Sequence, residues 1–64
     1  MNTPISVLLK KLIARKDLTE DEAFDAIHGM LSGEFTEGQI GAFLGTMSAK
    51  GETIDEIAGA ARAM

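Results

Sequence analysis

The sequence predicts an all-α fold, a small bundle of four short helices joined by tight loops. Three capping boxes are the main reason, since a Thr followed three residues later by Glu or Gln marks a helix start. The boxes begin at Thr19, Thr36 and Thr53, each 17 positions after the one before. A fourth start is Thr3-Pro4, a capping hydroxyl followed by a proline suited to the first helical position. We therefore expect one helical domain over residues 1–64, with successive helices packed as antiparallel neighbours.

The first predicted helix begins at Pro4 and combines an apolar stripe with a basic end. The stripe consists of Ile5, Leu8, Leu9, Leu12 and Ile13. Four cations, Lys10, Lys11, Arg15 and Lys16, occupy its last turns, where positive charge suits the negative end of the helix dipole. The dipole accounts for them better than a phosphate or nucleic-acid patch does.

The second predicted helix starts after Thr19 with three acids in its first turn and stops before Gly33, a suitable left-handed C-cap. The residues expected to face inward are Ala23, Phe24, Ala26, Ile27, Met30 and Leu31. Asp25 and His28 lie three residues apart on the outer face and could interact. No nucleophile stands beside them, so a surface pair is favoured over a catalytic base, and no role is assigned to either residue.

The third predicted helix runs from the Thr36 cap to Gly51 and has two unlike faces. Ile40, Phe43, Leu44 and Met47 form its apolar stripe. The opposite face consists of small residues, namely Gly38, Gly41, Ala42, Gly45 and Ala49. Each internal glycine costs roughly 1 kcal/mol relative to alanine, so three of them favour close approach of another helix, from this chain or from a second copy. We expect these five residues to form a homodimer interface.

The fourth predicted helix follows Thr53 and is rich in alanine. Its inward stripe is expected to be Ile54, Ile57, Ala58 and Ala61, with Gly59, Ala60 and Ala63 covering much of the remainder. The chain stops at Met64 without the Gly or Pro that commonly ends a helix. The sequence therefore predicts a chain cut within or at the end of this helix, whose Ala-rich face meets the rest of a longer protein.

Composition excludes several classes of function. There is no Cys and only one His, which argues against thiolate or His-based zinc sites. The net charge of −4 disfavours nucleic acid and anionic membranes as partners. No signal peptide and no apolar run of about 20 residues is present, so we expect a cytoplasmic protein. A phosphate-binding loop and a catalytic triad are also missing, and the sequence assigns no catalytic, cofactor-binding or metal-binding residue.

The order and spacing of several short runs resemble the N-terminal helical domain of anthranilate phosphoribosyltransferase. The runs are Leu18-Thr19 with Glu22-Ala23, Gly33-Glu34 with Thr36, Gln39-Ile40 with Ala42-Phe43-Leu44, Lys50-Gly51-Glu52-Thr53, and Glu56-Ile57 followed by Ala61 and Met64. The KGET-x-x-EI run is the most specific of them. Pyrimidine nucleoside phosphorylases carry a related helical domain that matches this run less well.

The resemblance implies a parent enzyme that transfers a phosphoribosyl group from phosphoribosyl pyrophosphate to anthranilate, with Mg²⁺, in tryptophan biosynthesis. It implies a large α/β catalytic domain that is missing from this chain and that carries the glycine-rich GTGGD loop and the metal-binding acids. No catalytic residue is therefore carried over to this sequence, and no cofactor is expected on this fragment. The resemblance also implies a homodimer formed largely through helices one and three. Glycine at 38, 41 and 45 departs from the bulkier residues expected there, which leaves the strength of the dimer open.

A self-contained helical interaction module remains the main alternative, and the equivalent domain of a pyrimidine nucleoside phosphorylase is another. A carrier protein is disfavoured because Asp17-Leu18-Thr19 lacks the serine that its prosthetic arm needs at the start of the second helix. A helix-turn-helix DNA-binding domain is disfavoured by the acidic helices two to four.

Overall fold

The computed structural model describes residues 4–64 and contains four helices. They are α1 (Ile5–Ile13), α2 (Glu20–Leu31), α3 (Glu37–Lys50) and α4 (Ile54–Ala63). The predicted all-α, four-helix fold is thus confirmed. The predicted cap at Thr3 lies outside the described residues. Pro4 was wrongly placed in the first helical turn, because its φ of −60° and ψ of 141° make it the extended residue that precedes the helix.

All three capping boxes form as the sequence predicts. In each, the threonine hydroxyl accepts from the backbone N–H three residues on, and the Glu or Gln at that position accepts from the threonine N–H. The predicted stops at Gly33 and Gly51 have positive φ angles of 74° and 90°. α1 ends without a glycine: Arg15 adopts the positive φ, 58°. The backbone N–H of Lys16 then donates to the carbonyl of Lys11 at 2.8 Å. A side chain in this left-handed conformation costs about 1–2 kcal/mol, and no glycine marks the position in the sequence.

The helices pack in alternate pairs, α1 with α3 and α2 with α4. The expectation that successive helices pair as antiparallel neighbours was therefore wrong. The reason lies at Gly59 on α4, where a Cβ atom would lie only 2.1 Å from the carbonyl oxygen of Glu20 on α2. The missing side chain lets the two backbones meet, so α4 reaches past α3 to lie on α2.

The apolar core lies among α1, α2, α3 and the loop between α1 and α2. Its buried members are Leu8, Leu12, Leu18, Ala26, Phe43 and Met47, with Ile5, Leu9, Ile27 and Met30 packed around them. Most of these belong to the stripes predicted for the first three helices. No residue of α4 is part of this cluster.

Several residues predicted to face inward are exposed instead. Ile13, Leu31 and Leu44 stand at the edges of their stripes and are 69%, 65% and 55% exposed. On α4 the predicted stripe is wrong as a whole face: Ile54 and Ile57 are 86% and 59% exposed, while Glu56 and Gly59 are buried. Hydrophobicity did not predict which side of α4 is buried. The side that packs on α2 is the one with Gly59, because it allows the closest approach of the two backbones.

Candidate functional site

The five residues predicted to form a homodimer interface lie together on one exposed face of α3. Gly38, Gly41, Ala42, Gly45 and Ala49 are all exposed. A Cβ atom added at Gly41 or Gly45 would meet nothing within 4 Å beyond the neighbouring backbone of its own helix. No helix of residues 4–64 therefore packs against α3 at Gly41 or Gly45, whereas Ala49, at the end of the face, borders a cleft shared with α1. The close approach that these glycines predicted is not made by a helix of residues 4–64.

The small face of α3 continues onto α1. A shallow cleft of about 210 Å³ runs between the ends of these two helices. It is lined by Leu12, Ile13 and Arg15 on the α1 side and by Thr46, Ala49 and Lys50 on α3. The exposed Ile13 thus borders the same surface as Ala49. The two helices that the resemblance named for dimerisation offer one joint surface rather than two separate ones.

A second open surface is an apolar groove of about 220 Å³ bounded by α2, α3 and α4. Its walls include Ile27 of α2, Leu44 and Met47 of α3, and Ile57 of α4. The groove exists because α4 packs on α2 rather than on α3, which leaves Leu44 of α3 55% exposed. Exposed apolar side chains lining a groove are typical of a surface that another segment or molecule covers.

Ile54 provides a test of the exposed α4 face in this chain. Because its side chain is 86% exposed, replacing it with glutamine is expected to change the free energy of unfolding by less than about 0.5 kcal/mol. Urea denaturation followed by circular dichroism measures this. Leu12 is the control, since Leu12→Ala removes a core side chain and is expected to cost about 2–5 kcal/mol. A similar loss at both positions would place Ile54 in a buried contact.

The ion pair between Lys50 and Glu56 joins the end of α3 to the start of α4. The Lys50 Nζ lies 2.9 Å from one carboxylate oxygen of Glu56, and the two side chains are only 5% and 2% exposed. The same lysine reaches the more exposed Asp17 at 3.1 Å and the carbonyl of Gly51 at 2.8 Å. The other Glu56 oxygen accepts the backbone N–H of Leu18 at 2.7 Å. The α1–α2 and α3–α4 connections thus meet at one carboxylate.

The surroundings of this ion pair stabilise the charged forms of both partners. Burial by itself raises the pKa of Glu56, but hydrogen bonds from Lys50 and from the N–H groups of Leu18 and Thr53 outweigh it, so the pKa is lowered overall. Burial likewise opposes the charge of Lys50, yet its bonds to Glu56 and Asp17 raise its pKa. A buried pair bonded on every side is costly to break by removing one partner.

At its far end α4 is attached through Arg62. The guanidinium lies 2.8 Å from Glu20 and 3.1 Å from Asp21, and its carbon lies 4.9 Å from the ring centre of Phe24. The Phe24 ring also stacks on His28, with centroids 5.6 Å apart and planes at 7°. The sequence predicted only that His28 could interact with Asp25, three residues earlier, and did not predict this aromatic contact.

Sequence reasoning did not recognise Glu56 and Gly59 as the residues that dock α4. The capping box accounted for Glu56 completely, so nothing indicated that its second oxygen would bond to a loop 38 residues away. Gly59 was one small residue among several. A glycine within a helix costs stability unless packing requires it, and that was the available signal.

In residues 4–64 no three His, Cys, Asp or Glu side chains come together in a way that could hold a metal ion. None of the helices there has the length and apolar character needed to cross a membrane.

Comparison with known proteins places this arrangement of helices in a family. Residues 6–64 match the model for the helical bundle domain of the glycosyl transferase family. The chain belongs to this family. The match covers all four helices.

Individual relatives agree with the family match. An anthranilate phosphoribosyltransferase from Syntrophobacter fumaroxidans is 52% identical over 56 residues, covering 88% of this chain and 17% of its own length. The enzyme of the same name from Pelobacter propionicus is 52% identical over 61 residues, covering 89% and 17%. One from Pseudomonas syringae pv. syringae is 44% identical and covers all of this chain but 19% of its own. The chain thus spans less than a fifth of the length of these relatives.

Proposed function

We propose that this glycosyl transferase helical bundle is the N-terminal domain of an anthranilate phosphoribosyltransferase. In that protein it serves association and supports the active-site cleft, without supplying reacting groups. The observation that carries the proposal is the identity of about half of the aligned residues with enzymes that share this name. The parent protein would transfer a phosphoribosyl group from phosphoribosyl pyrophosphate to anthranilate, a cytoplasmic step of tryptophan biosynthesis.

The two open surfaces suit two different contacts within such a parent protein. The small face of α3, together with the adjoining end of α1, would meet a second copy, because glycine and alanine let helix backbones approach closely. The apolar groove and the exposed Ile54 and Ile57 of α4 would be covered by the rest of the parent chain, including its α/β catalytic domain. This division would cover both open surfaces described above.

The described residues do not fit the magnesium ion that the parent reaction is expected to use. No three potential ligands come together within residues 4–64. In this proposal the metal would be bound by the rest of the parent protein.

Association through α3 is tested by adding a charge to its small face. Ala42→Glu or Gly45→Glu is expected to convert a dimer to monomer, because a carboxylate would be buried between two backbones without a partner. Light scattering measured against protein concentration gives the mass of each variant.

The matched control is Ala61→Glu, which makes the same change on an exposed face of α4. It is expected to leave association unchanged. Dimers that persist with glutamate at 42 and at 45 would show that copies do not meet through α3. Dissociation by Ala61→Glu alone would assign the contact to α4 instead.

The enzymatic role is tested by a chimera. Residues 6–64 replace the matching segment of the Syntrophobacter fumaroxidans enzyme, and transfer to anthranilate is followed by loss of anthranilate fluorescence. The chimera is expected to be active, while the enzyme with this segment deleted is expected to lose activity. A folded chimera without activity would contradict the proposed parent. A native gene with no GTGGD-like loop downstream would favour a self-contained interaction module.

A further inference from the structure

The apolar groove bounded by α2, α3 and α4 has one carboxylate at its edge that the rest of the described chain leaves unpaired. Apart from two glutamates, all the residues that line the groove are apolar. Glu56 is buried, and its oxygens accept hydrogen bonds from Lys50 and from two backbone N–H groups. Glu52 is exposed and forms no ion pair within residues 4–64. The groove therefore combines apolar walls with a free negative charge.

The exposed apolar surface extends along α2 past the groove. Leu31 lies one helical turn after the groove residue Ile27, on the same side of α2, and is 65% exposed. Leu44 of α3 and Ile57 of α4, which border the groove, are 55% and 59% exposed. Three helices thus contribute large apolar side chains to one surface that residues 4–64 leave open, as is typical of a contact surface.

The chemistry of the groove restricts what can cover it. Its walls are helices, whose backbone N–H and C=O groups are bonded within each helix. An extended segment in the groove would bury its own backbone groups without partners, which costs free energy. A helix bonds its own backbone groups and can place apolar side chains between the walls. When such a helix covers the groove, the carboxylate of Glu52 loses part of its hydration, and a cation facing it offsets that loss.

We propose that in an anthranilate phosphoribosyltransferase parent, on which this inference rests, the groove binds a helix from the catalytic part of the enzyme, and that this helix carries a lysine or arginine that pairs with Glu52. The matching segment makes up 17% of the Syntrophobacter fumaroxidans relative, so most of such a parent lies outside this chain and can supply the helix. The apolar walls bind the helix. Glu52 fixes its position along the groove, because complementary charges select one register of a contact.

Labelling of an introduced thiol measures whether the groove is covered. The chain has no cysteine, so Leu44→Cys places a single thiol of this chain in the groove. In the isolated 64-residue chain this thiol is expected to react rapidly with iodoacetamide, because position 44 is more than half exposed. In the chimera with the Syntrophobacter fumaroxidans enzyme, peptide mass spectrometry is expected to show labelling at least about tenfold slower. Equal rates in the isolated chain and the chimera would overturn the proposal.

Charge variants test the pairing at Glu52. Glu52→Lys sets a cation against the proposed cation, so labelling at position 44 of the chimera is expected to speed up by about tenfold, with a smaller increase for Glu52→Gln. Each rate is divided by that of the isolated chain with the same substitution, which removes the effect of the new charge on thiol reactivity. Glu34→Lys makes the same change at an exposed acid outside the groove lining and is expected to leave the ratio unchanged.

The outcomes separate this contact from the parent enzyme itself. If Glu52→Lys and Glu34→Lys change the ratio alike, no cation faces Glu52 and the proposal is overturned. An active chimera whose thiol is unprotected would contradict the groove contact alone. A folded chimera without activity would contradict the proposed parent, and the inference would fall with it.

Discussion

Replacing Gly59 with alanine is expected to destabilise the domain by about 3 kcal/mol. The added Cβ would lie 2.1 Å from the carbonyl oxygen of Glu20 and 2.9 Å from the backbone nitrogen of Phe24. Both are main-chain atoms of α2 and cannot rotate away, so the two helices must separate. Alanine favours a helix by about 1 kcal/mol relative to glycine. The expected loss of stability is therefore the net value, after this gain is subtracted from the cost of the clash. A domain of this length is typically stable by roughly 3–10 kcal/mol, so the change is a large part of the total.

Gly41→Ala on α3 is the matched control for this substitution. It makes the same chemical change within a helix, at a position where the new atom meets nothing within 4 Å. At a protein concentration where the chain is monomeric, the control is expected to raise the free energy of unfolding by up to about 1 kcal/mol through helix propensity. The low concentration is needed because Gly41 lies on the face proposed to meet a second copy. Urea unfolding followed at 222 nm gives both values. Equal, stabilising effects of the two substitutions would mean that α4 does not lie on α2 at Gly59.

Replacing Glu56 with glutamine is expected to cost about 3 kcal/mol at neutral pH. Glutamine can still accept from the Thr53 N–H, as Gln39 does from the Thr36 N–H in α3, so the capping box is preserved. The negative charge is lost, which leaves the buried ammonium of Lys50 with only the exposed Asp17 as a charged partner. One acceptor oxygen is lost too, because the amide nitrogen of glutamine would face the backbone N–H of Leu18. Glu52→Gln, at an exposed position, is expected to change stability by less than about 0.5 kcal/mol.

The pH dependence of stability tests the same contact in a second way. Because the pKa of Glu56 is lower in the folded chain than its ordinary value of 4.5, the unfolded chain takes up the proton more readily. The stabilisation is therefore complete above about pH 4.5 and is lost as pH falls through the folded-state pKa. The wild-type chain should lose stability over this range more steeply than Glu56→Gln.

A residual acid dependence is expected in Glu56→Gln. Glu22 also has a lowered pKa, because its bonds to Lys11 and to the Thr19 N–H outweigh its burial. The contribution of Glu22 to stability is likewise lost as the pH falls, and it remains in the Glu56→Gln variant. Chemical denaturation at a series of pH values measures the difference between the two curves. If the wild-type chain and Glu56→Gln lost stability identically as the pH falls, Glu56 would not be stabilised as a buried carboxylate.

Local signals predicted much of the fold, and each of them acts within one or two turns of chain. A capping box satisfies donors at a helix start with side chains three residues apart, so Thr19, Thr36 and Thr53 mark those starts without help from the rest of the molecule. Gly33 and Gly51 mark stops for a similarly local reason, the positive φ that they adopt. The five small residues of α3 were also placed correctly on one exposed face, since helical periodicity alone decides which residues share a face.

Which face points inward was decided by tertiary contacts, and α4 shows why. Helical periodicity places Ile54 and Ile57 on the same face of α4, but it does not determine whether that face or the opposite one is buried. The close approach of backbones at Gly59 and the bonds of Glu56 to residues distant in sequence turned the other side of the helix inward. A hydrophobic stripe predicts which side of a helix is buried when the helix borders the core. α4 contributes no residue to the core of this domain, so its stripe did not predict its buried side.

The sequence by itself determined four helices, the starts that capping boxes mark and the family to which the chain belongs, because capping, turn chemistry and motif spacing are properties of short segments. The end of α1 was predicted wrongly: Arg15 and Lys16 were placed in its last turns, but the helix ends at Ile13. Only the tertiary structure decided that helices pair alternately, that a groove opens between α3 and α4, and that a buried carboxylate joins two connections. These features depend on contacts between residues up to 42 positions apart, such as the pair of Arg62 with Glu20. Such contacts follow from how surfaces fit together, and no single segment specifies that.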